Sequence, residues 1–180
     1  MTTWVALLRG VNVGGVTVRS AELAALFRDL GFDRVATVLA SGNVRFEADA
    51  AASARAELTE TIERALGARF DYEAWIVLVT MRELDAAIAD FPFDADDAGR
   101  QPYVVFCRDR AVRDALAHTA EELESPDDLV QPGFGVVYWS PPKGRSVDTP
   151  FAKVLARSSY TGTTTTRNLR TLAKIAAAGP

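Results

Sequence analysis

Three short stretches of this chain gather side chains able to hold an anion. They are Arg9-Gly10-Val11-Asn12-Val13-Gly14-Gly15, Ser41-Gly42-Asn43 and Thr163-Thr164-Thr165-Thr166-Arg167-Asn168. The first follows an apolar run and precedes a helical pattern. A strand feeding a glycine-rich turn and then a helix presents backbone N–H groups to an oxyanion. Its spacing is not GxGxxG, and it lacks the Lys-Ser/Thr that completes a P-loop. The helical pattern begins only at Ser20, late for a phosphate-binding turn. The competing account is a tight turn that needs positive φ, with Arg9 ion-paired at a strand end.

The threonine run reads as the start of the last helix, capped by Thr165 or Thr166, with Arg167 in its first turn. A guanidinium there opposes the helix macrodipole, so a ligand or a carboxylate has to compensate it. Ser41-Gly42-Asn43 is first a hairpin turn and second a source of polar groups. The expected ligand-binding set is therefore Arg9, Asn12, Gly14, Gly15, Ser41, Asn43, Thr166, Arg167 and Asn168, converging on one electropositive hollow. Two arginines plus backbone donors suit a small anionic ligand such as a nucleotide or phosphometabolite.

Other chemistries find less support. Cys107 is the only cysteine and His118 the only histidine, which excludes a disulfide framework or a Cys/His zinc site within one chain. Cys107 closes an apolar strand and reads as a small core residue. His118, beside Val112 and Leu116 on a helix, reads as a surface residue. GxSxG and HExxH are absent, and Asp94, Asp96 and Asp97 lack the glycine and glutamate of a calcium loop. No metal is expected, and no cofactor is assigned. A hydrolase or transferase acting on a phosphorylated substrate through Arg9 and Arg167 is the enzyme alternative, although no nucleophile or base is recognisable. Nucleic acid is an unfavoured partner. The net charge is −4, and Val44-Arg45-Phe46 supplies one aromatic without the rest of an RNP1 pattern. A self-associating module is a further alternative, with sheet edges as its physical basis.

The elements that must position these residues follow from pattern. In 180 residues, 48% apolar and 24% charged, there is material for one large or two small cores. Trp4–Leu8 reads as a central strand. Ser20 caps a helix carrying Leu23, Leu26, Phe27 and Leu30, stopped by Gly31. Val35–Ala40 and Val44–Ala48 form a hairpin. Ser53 opens a helix closed by Gly67, and Trp75–Val79 is a strand. That order is β-α-β-β-α-β, the split βαβ pattern of a ferredoxin-like sheet. Thr80 and Glu83 make a capping box for a third helix. Residues 94–102 read as an acidic linker.

The second half repeats the order. Tyr103–Cys107 is a strand, and Asp109 caps a helix. Strands follow near Leu129–Gln131 and at Val136–Trp139, then a short helix opened by Thr149 and Pro150. The closing helix, from about Thr166, stands where a fourth strand would be expected. The expectation is an α+β protein of two tandem ferredoxin-like subdomains with largely antiparallel sheets, at 1–93 and 103–180. The only apolar run near the N-terminus, Val5–Leu8, is too short for a signal peptide or a membrane span, so a cytoplasmic, non-membrane protein is expected.

RGVNVGG at Arg9–Gly15, SGNVRF at Ser41–Phe46 and TTRN at Thr165–Asn168 together resemble the bacterial family called domain of unknown function 1697. The Phe91-Pro92-Phe93 stretch matches more weakly. The resemblance covers essentially the whole chain and implies two α+β subdomains of ferredoxin-like form. It implies no established activity. Members often carry a lysine after the paired glycine, where this chain has Val16, which weakens an anion site built on that loop.

Overall fold

In a computed structural model, which describes residues 1–11, 15–40 and 42–179, the chain forms two compact units. One comprises Met1–Asp85 with Lys174–Pro180, the other Ala86–Ala173. The first holds β1 (Thr2–Arg9), α1 (Ser20–Asp29), β2 (Asp33–Val38), β3 (Asn43–Ala48), α2 (Arg55–Phe70) and β4 (Trp75–Thr80). Its sheet is antiparallel in the order β2-β3-β1-β4. The second holds β5 (Tyr103–Cys107), α4 (Arg110–Leu123), β6 (Leu129–Pro132), β7 (Val136–Ser140), α5 (Pro150–Leu155), α6 (Ser158–Thr161) and β8 (Thr164–Asn168). Its order, β6-β7-β5-β8, is the same arrangement. Both are β-α-β-β-α-β units, so the α+β class is as the sequence indicated, while the second unit has the fourth strand in whose place a closing helix was expected. The chain passes between units inside α3 (Met81–Ala89) and α7 (Leu169–Ala177), while residues 94–102 lie within the second unit.

Strand alternation builds the first core. Trp4, Ala6 and Leu8 of β1 point to one face with Val44, Phe46, Ile76 and Leu78, and pack under Leu23 and Phe27 of α1 and Ile62 and Leu66 of α2. Phe46 makes an edge contact with Phe27 at 5.2 Å and lies 4.6 Å from Phe32. Side chains of this size each contribute about 1.5–3 kcal/mol when fully buried. In the second unit Val105, Cys107, Val137 and Trp139 pack against Leu116, Phe151 and Val154. Asp128 ties that core to α5 by accepting from the Trp139 indole at 2.8 Å and from Phe151 N–H at 3.0 Å.

Several local signals behave as their chemistry requires. Asp109 accepts from Val112 N–H at 2.9 Å, and Thr149 caps α5 through Ala152 N–H. Two helix boundaries differ from expectation. Arg19, not Ser20, occupies the α1 N-cap, and its side chain makes no capping bond. The second helix begins at Arg55, after a 3-10 turn containing Ser53, and runs through Gly67 to a left-handed stop at Asp71. Gly67 is tolerated because apolar packing of Ile62 and Leu66 outweighs the roughly 1 kcal/mol a helical glycine costs.

The capping box at α3 is larger than the sequence suggested. Glu83 accepts from Thr80 N–H at 2.8 Å, and Thr80 Oγ1 in turn accepts from Glu83 N–H. The same carboxylate binds Arg55 through both oxygens, at 2.7 and 2.8 Å, and the guanidinium lies over the Trp4 ring. Burial works to raise the Glu83 pKa, but the bonds from Arg55 and Thr80 prevail and hold it below the ordinary carboxylate value. A depressed folded pKa contributes stability above the unfolded value, near ~4.3, and that stability disappears as pH falls through the folded one. Glu83→Gln should therefore lower stability by about 1–2 kcal/mol at pH 7 and by much less at pH 3. Urea denaturation at both pH values measures this, and an equal loss at the two would contradict it.

Candidate functional site

β1 is the central strand that carries the first motif. It pairs with β3 on one side and β4 on the other, so that Leu7 lies opposite Asn43 and Arg9 opposite Trp75. Because Trp4, Ala6 and Leu8 face the helices, Val5, Leu7 and Arg9 share the other face, and register puts Asn43 there too. Arg9 and Asn43 are diagonal neighbours, whose side chains start about 7–8 Å apart. Two of the three motifs thus meet at one end of one sheet.

The turn between β2 and β3 is locked onto β1. Leu8 N–H donates to Gly42 C=O at 2.8 Å. Gly42 has φ +72, and a Cβ there would lie 2.6 Å from Val11 Cγ2 and 2.8 Å from Leu8 Cβ. Only glycine combines that conformation with that proximity. Asn43 is fully buried, and its amide donates across the turn to Val38 C=O at 2.9 Å. Its first role is therefore to close the hairpin. Gly10 and Gly15 both have positive φ, as a tight turn requires. Asn12, Gly14 and Ser41 lie outside the described residues.

Arg9 is half-buried, and burial lowers its pKa from the ordinary arginine value, which still leaves it charged. Two residues beyond Asn43 on the same face is Arg45, opposite Val5. Its guanidinium donates to Ala176 C=O at 3.1 Å and to Ala178 C=O, at the end of α7. Among the described residues its partners are thus carbonyls, not a carboxylate. Arg45 was not among the expected site residues. The signal lay in SGNVRF itself, since alternation from Asn43 selects Arg45 and not Val44 or Phe46.

The third motif needs correcting. Thr164–Asn168 is not the start of a helix. It is the edge strand β8, paired with β5 from Tyr103↔Asn168 to Cys107↔Thr164. Consecutive β-branched threonines favour an extended backbone, and a vacant edge beside β5 accepted them. Neither Thr165 nor Thr166 caps α7, and Arg167 does not oppose its dipole. Asn168 does the capping, accepting from Arg170 N–H at 2.9 Å. Thr165 and Arg167 lie opposite Phe106 and Val104. Arg167 is buried and donates to Thr165 Oγ1 at 2.6 Å and Thr166 C=O at 3.1 Å. Thr166, Arg167 and Asn168 belong to the second unit, whereas Arg9, Gly15 and Asn43 belong to the first.

The two residues set aside for catalysis occupy bland positions. His118 is on an exposed helix surface, 3.5 Å from Glu122. Cys107 is buried, and burial pushes its thiol up to about 12, with Asp109 adding to the rise and Arg113 opposing it. It is a neutral thiol at physiological pH. No group of three His, Cys, Asp or Glu side chains able to hold a metal occurs among the described residues, and no helix there is long and apolar enough to cross a membrane.

With the β1 loop and the β2–β3 turn meeting at Gly42, comparison with known proteins becomes informative. The model of the family described as "Protein of unknown function (DUF1697)" matches residues 1–138. The chain belongs to that family. Among solved structures, this DUF1697 protein is similar to one described as conserved bacterial protein SP0830 from Streptococcus pneumoniae. The TM-score is 0.81 at 26% identity, over 98% of this chain and 97% of the other. No curated protein matches. The structural match spans both ferredoxin-like units, whereas the family match includes the first two motifs and ends before Thr165–Asn168.

The Gly42 contact yields a direct expectation. Gly42→Ala should destabilise the protein by about 2–4 kcal/mol, from left-handed strain and overpacking together. Chemical denaturation measures it, and a loss under about 0.5 kcal/mol, the level of an ordinary surface change, would mean that the turn does not need this fit.

Proposed function

We propose that this protein binds a small anionic ligand, a nucleotide or a phosphometabolite, on the face of the first sheet that carries Arg9, Asn43 and Arg45. What supports the reading most is the charge pattern of that face. Two guanidiniums flank the hairpin residue Asn43, and the partners of Arg45 are neutral carbonyls. An oxyanion gains more from a guanidinium than a carbonyl does, because both charges are then compensated. Partial burial of Arg9 strengthens any such pairing by removing competing water. Asn43 positions the turn, while the arginines supply the charge. The protein is read as cytoplasmic and as acting without nucleic acid, in line with its net charge of −4.

This reading is narrower than the three-motif hollow expected from sequence. Arg167 and Asn168 already have structural work, in holding Thr165 and capping α7, and the proposal does not require them. A hydrolase or transferase would draw on the same arginines, but needs an activated nucleophile. The thiol of Cys107 is neutral and His118 lies on an exposed helix face, so binding is the reading put forward.

Differential scanning fluorimetry against inorganic phosphate, pyrophosphate and a panel of nucleotides and phosphometabolites tests it. At least one compound should raise Tm, equivalent to about 2.7 kcal/mol at a hundredfold excess over Kd. Arg9→Gln should weaken that compound about 10–100-fold, the loss of one charge-assisted bond of ~1.5–3 kcal/mol. No response to any compound would reject the proposal.

A further inference from the structure

The end of α7 is held in an unusual way. Lys174–Ala177 and the residues that follow belong to the first unit, although 131 and 133 residues separate Arg45 from the carbonyls it grips, Ala176 and Ala178. Helix C-termini leave their last carbonyls without intrahelical partners, and a cation beside them is favourable. Here the cation comes from the middle of β3, two residues from Asn43 on the same face. Two residues of strand span about 6.6 Å, within reach of an arginine side chain. Ile175, in the same turn, is fully buried, whereas Ala176 and Ala178 are only partly covered. The turn thus has an apolar anchor and a polar fastening that can be separated.

We infer that Arg45 is a latch: it fastens the last turn of α7 to the sheet, and an oxyanion bound beside Arg9 and Asn43 draws its guanidinium away and frees that turn. The inference rests on the proposed anion site and adds its regulation. The chemistry is a competition for one donor group. Among the described residues the acceptors of the guanidinium are dipolar carbonyls. A phosphoryl oxygen is a charged acceptor, and charge-assisted bonds are about twice as strong as neutral ones. Binding and release are then linked, so whatever holds the α7 end down weakens the anion, and the anion loosens the α7 end by the same factor. Arg34 and Glu47, a charged pair at the far end of β2 and β3, are not part of the exchange.

Amide hydrogen exchange of residues 176–179 tests the latch, with inorganic phosphate and pyrophosphate as probes. Arg45→Met keeps the aliphatic stem and removes the donors. Exchange there should be at least ~10-fold faster in Arg45→Met than in the unmodified protein, the loss of about 1.4 kcal/mol of fastening. Adding the anion should speed exchange in the unmodified protein towards the variant's rate and leave the variant unchanged. If an anion raises Tm but exchange at 176–179 stays constant, the latch is overturned while the binding site stands. If no anion changes Tm or exchange, the anion site and its control of the latch both fall. If Arg45→Met exchanges like the unmodified protein, the fastening itself is disproved.

Discussion

The first sheet depends on one close approach, Gly42 against Leu8 and Val11. A residue with any side chain would strike both neighbours, and an L-residue would be strained in that backbone conformation. With glycine there, the Leu8–Gly42 hydrogen bond fixes the start of β3 against β1. Register then follows. Leu7 faces Asn43, Val5 faces Arg45, and every second residue of β3 is committed to one face. A one-residue slip would send Arg45 into the aromatic cluster and Phe46 outwards. The placement of two arginines on one surface is thus a consequence of where a glycine permits a turn.

Two arginines of the first unit use charge differently. At the Thr80 end, Arg55 and Glu83 satisfy each other, and the pair joins the starts of α2 and α3 above Trp4. Both charges are spent internally, which suits a structural junction. In the middle of β3, Arg45 meets, among the described residues, only the carbonyls of Ala176 and Ala178. Its positive charge is eased by a helix terminus and not cancelled. The contrast between these arginines is between a charge matched by a carboxylate and one met by carbonyls, and the proposed anion site rests on the second.

Much of the architecture was legible because local signals agreed with one another. Alternation in β1, the box at Thr80 and Glu83, the Asp109 and Thr149 caps and the order of elements all pointed to the same fold. The threonine run was misread because Thr caps helices and also favours strands, and only the open edge beside β5 decides between them. Asn168 was the better cap by position, directly before the apolar spacing of Leu169 and Leu172. The site was legible in part. Arg9 and Asn43 were selected for their chemistry, and the strand register brings them together. Alternation in SGNVRF could have placed Arg45 on that face, but its partners lie more than 130 residues away, a distance that no local pattern spans.

The most direct test of the account is a two-dimensional amide NMR titration of the protein with pyrophosphate. The account predicts shifts clustered at residues 8–11 and 42–45, with a second group at 176–179 that moves in parallel. Perturbations confined to the second unit, or spread evenly over surface lysines and arginines, would contradict it.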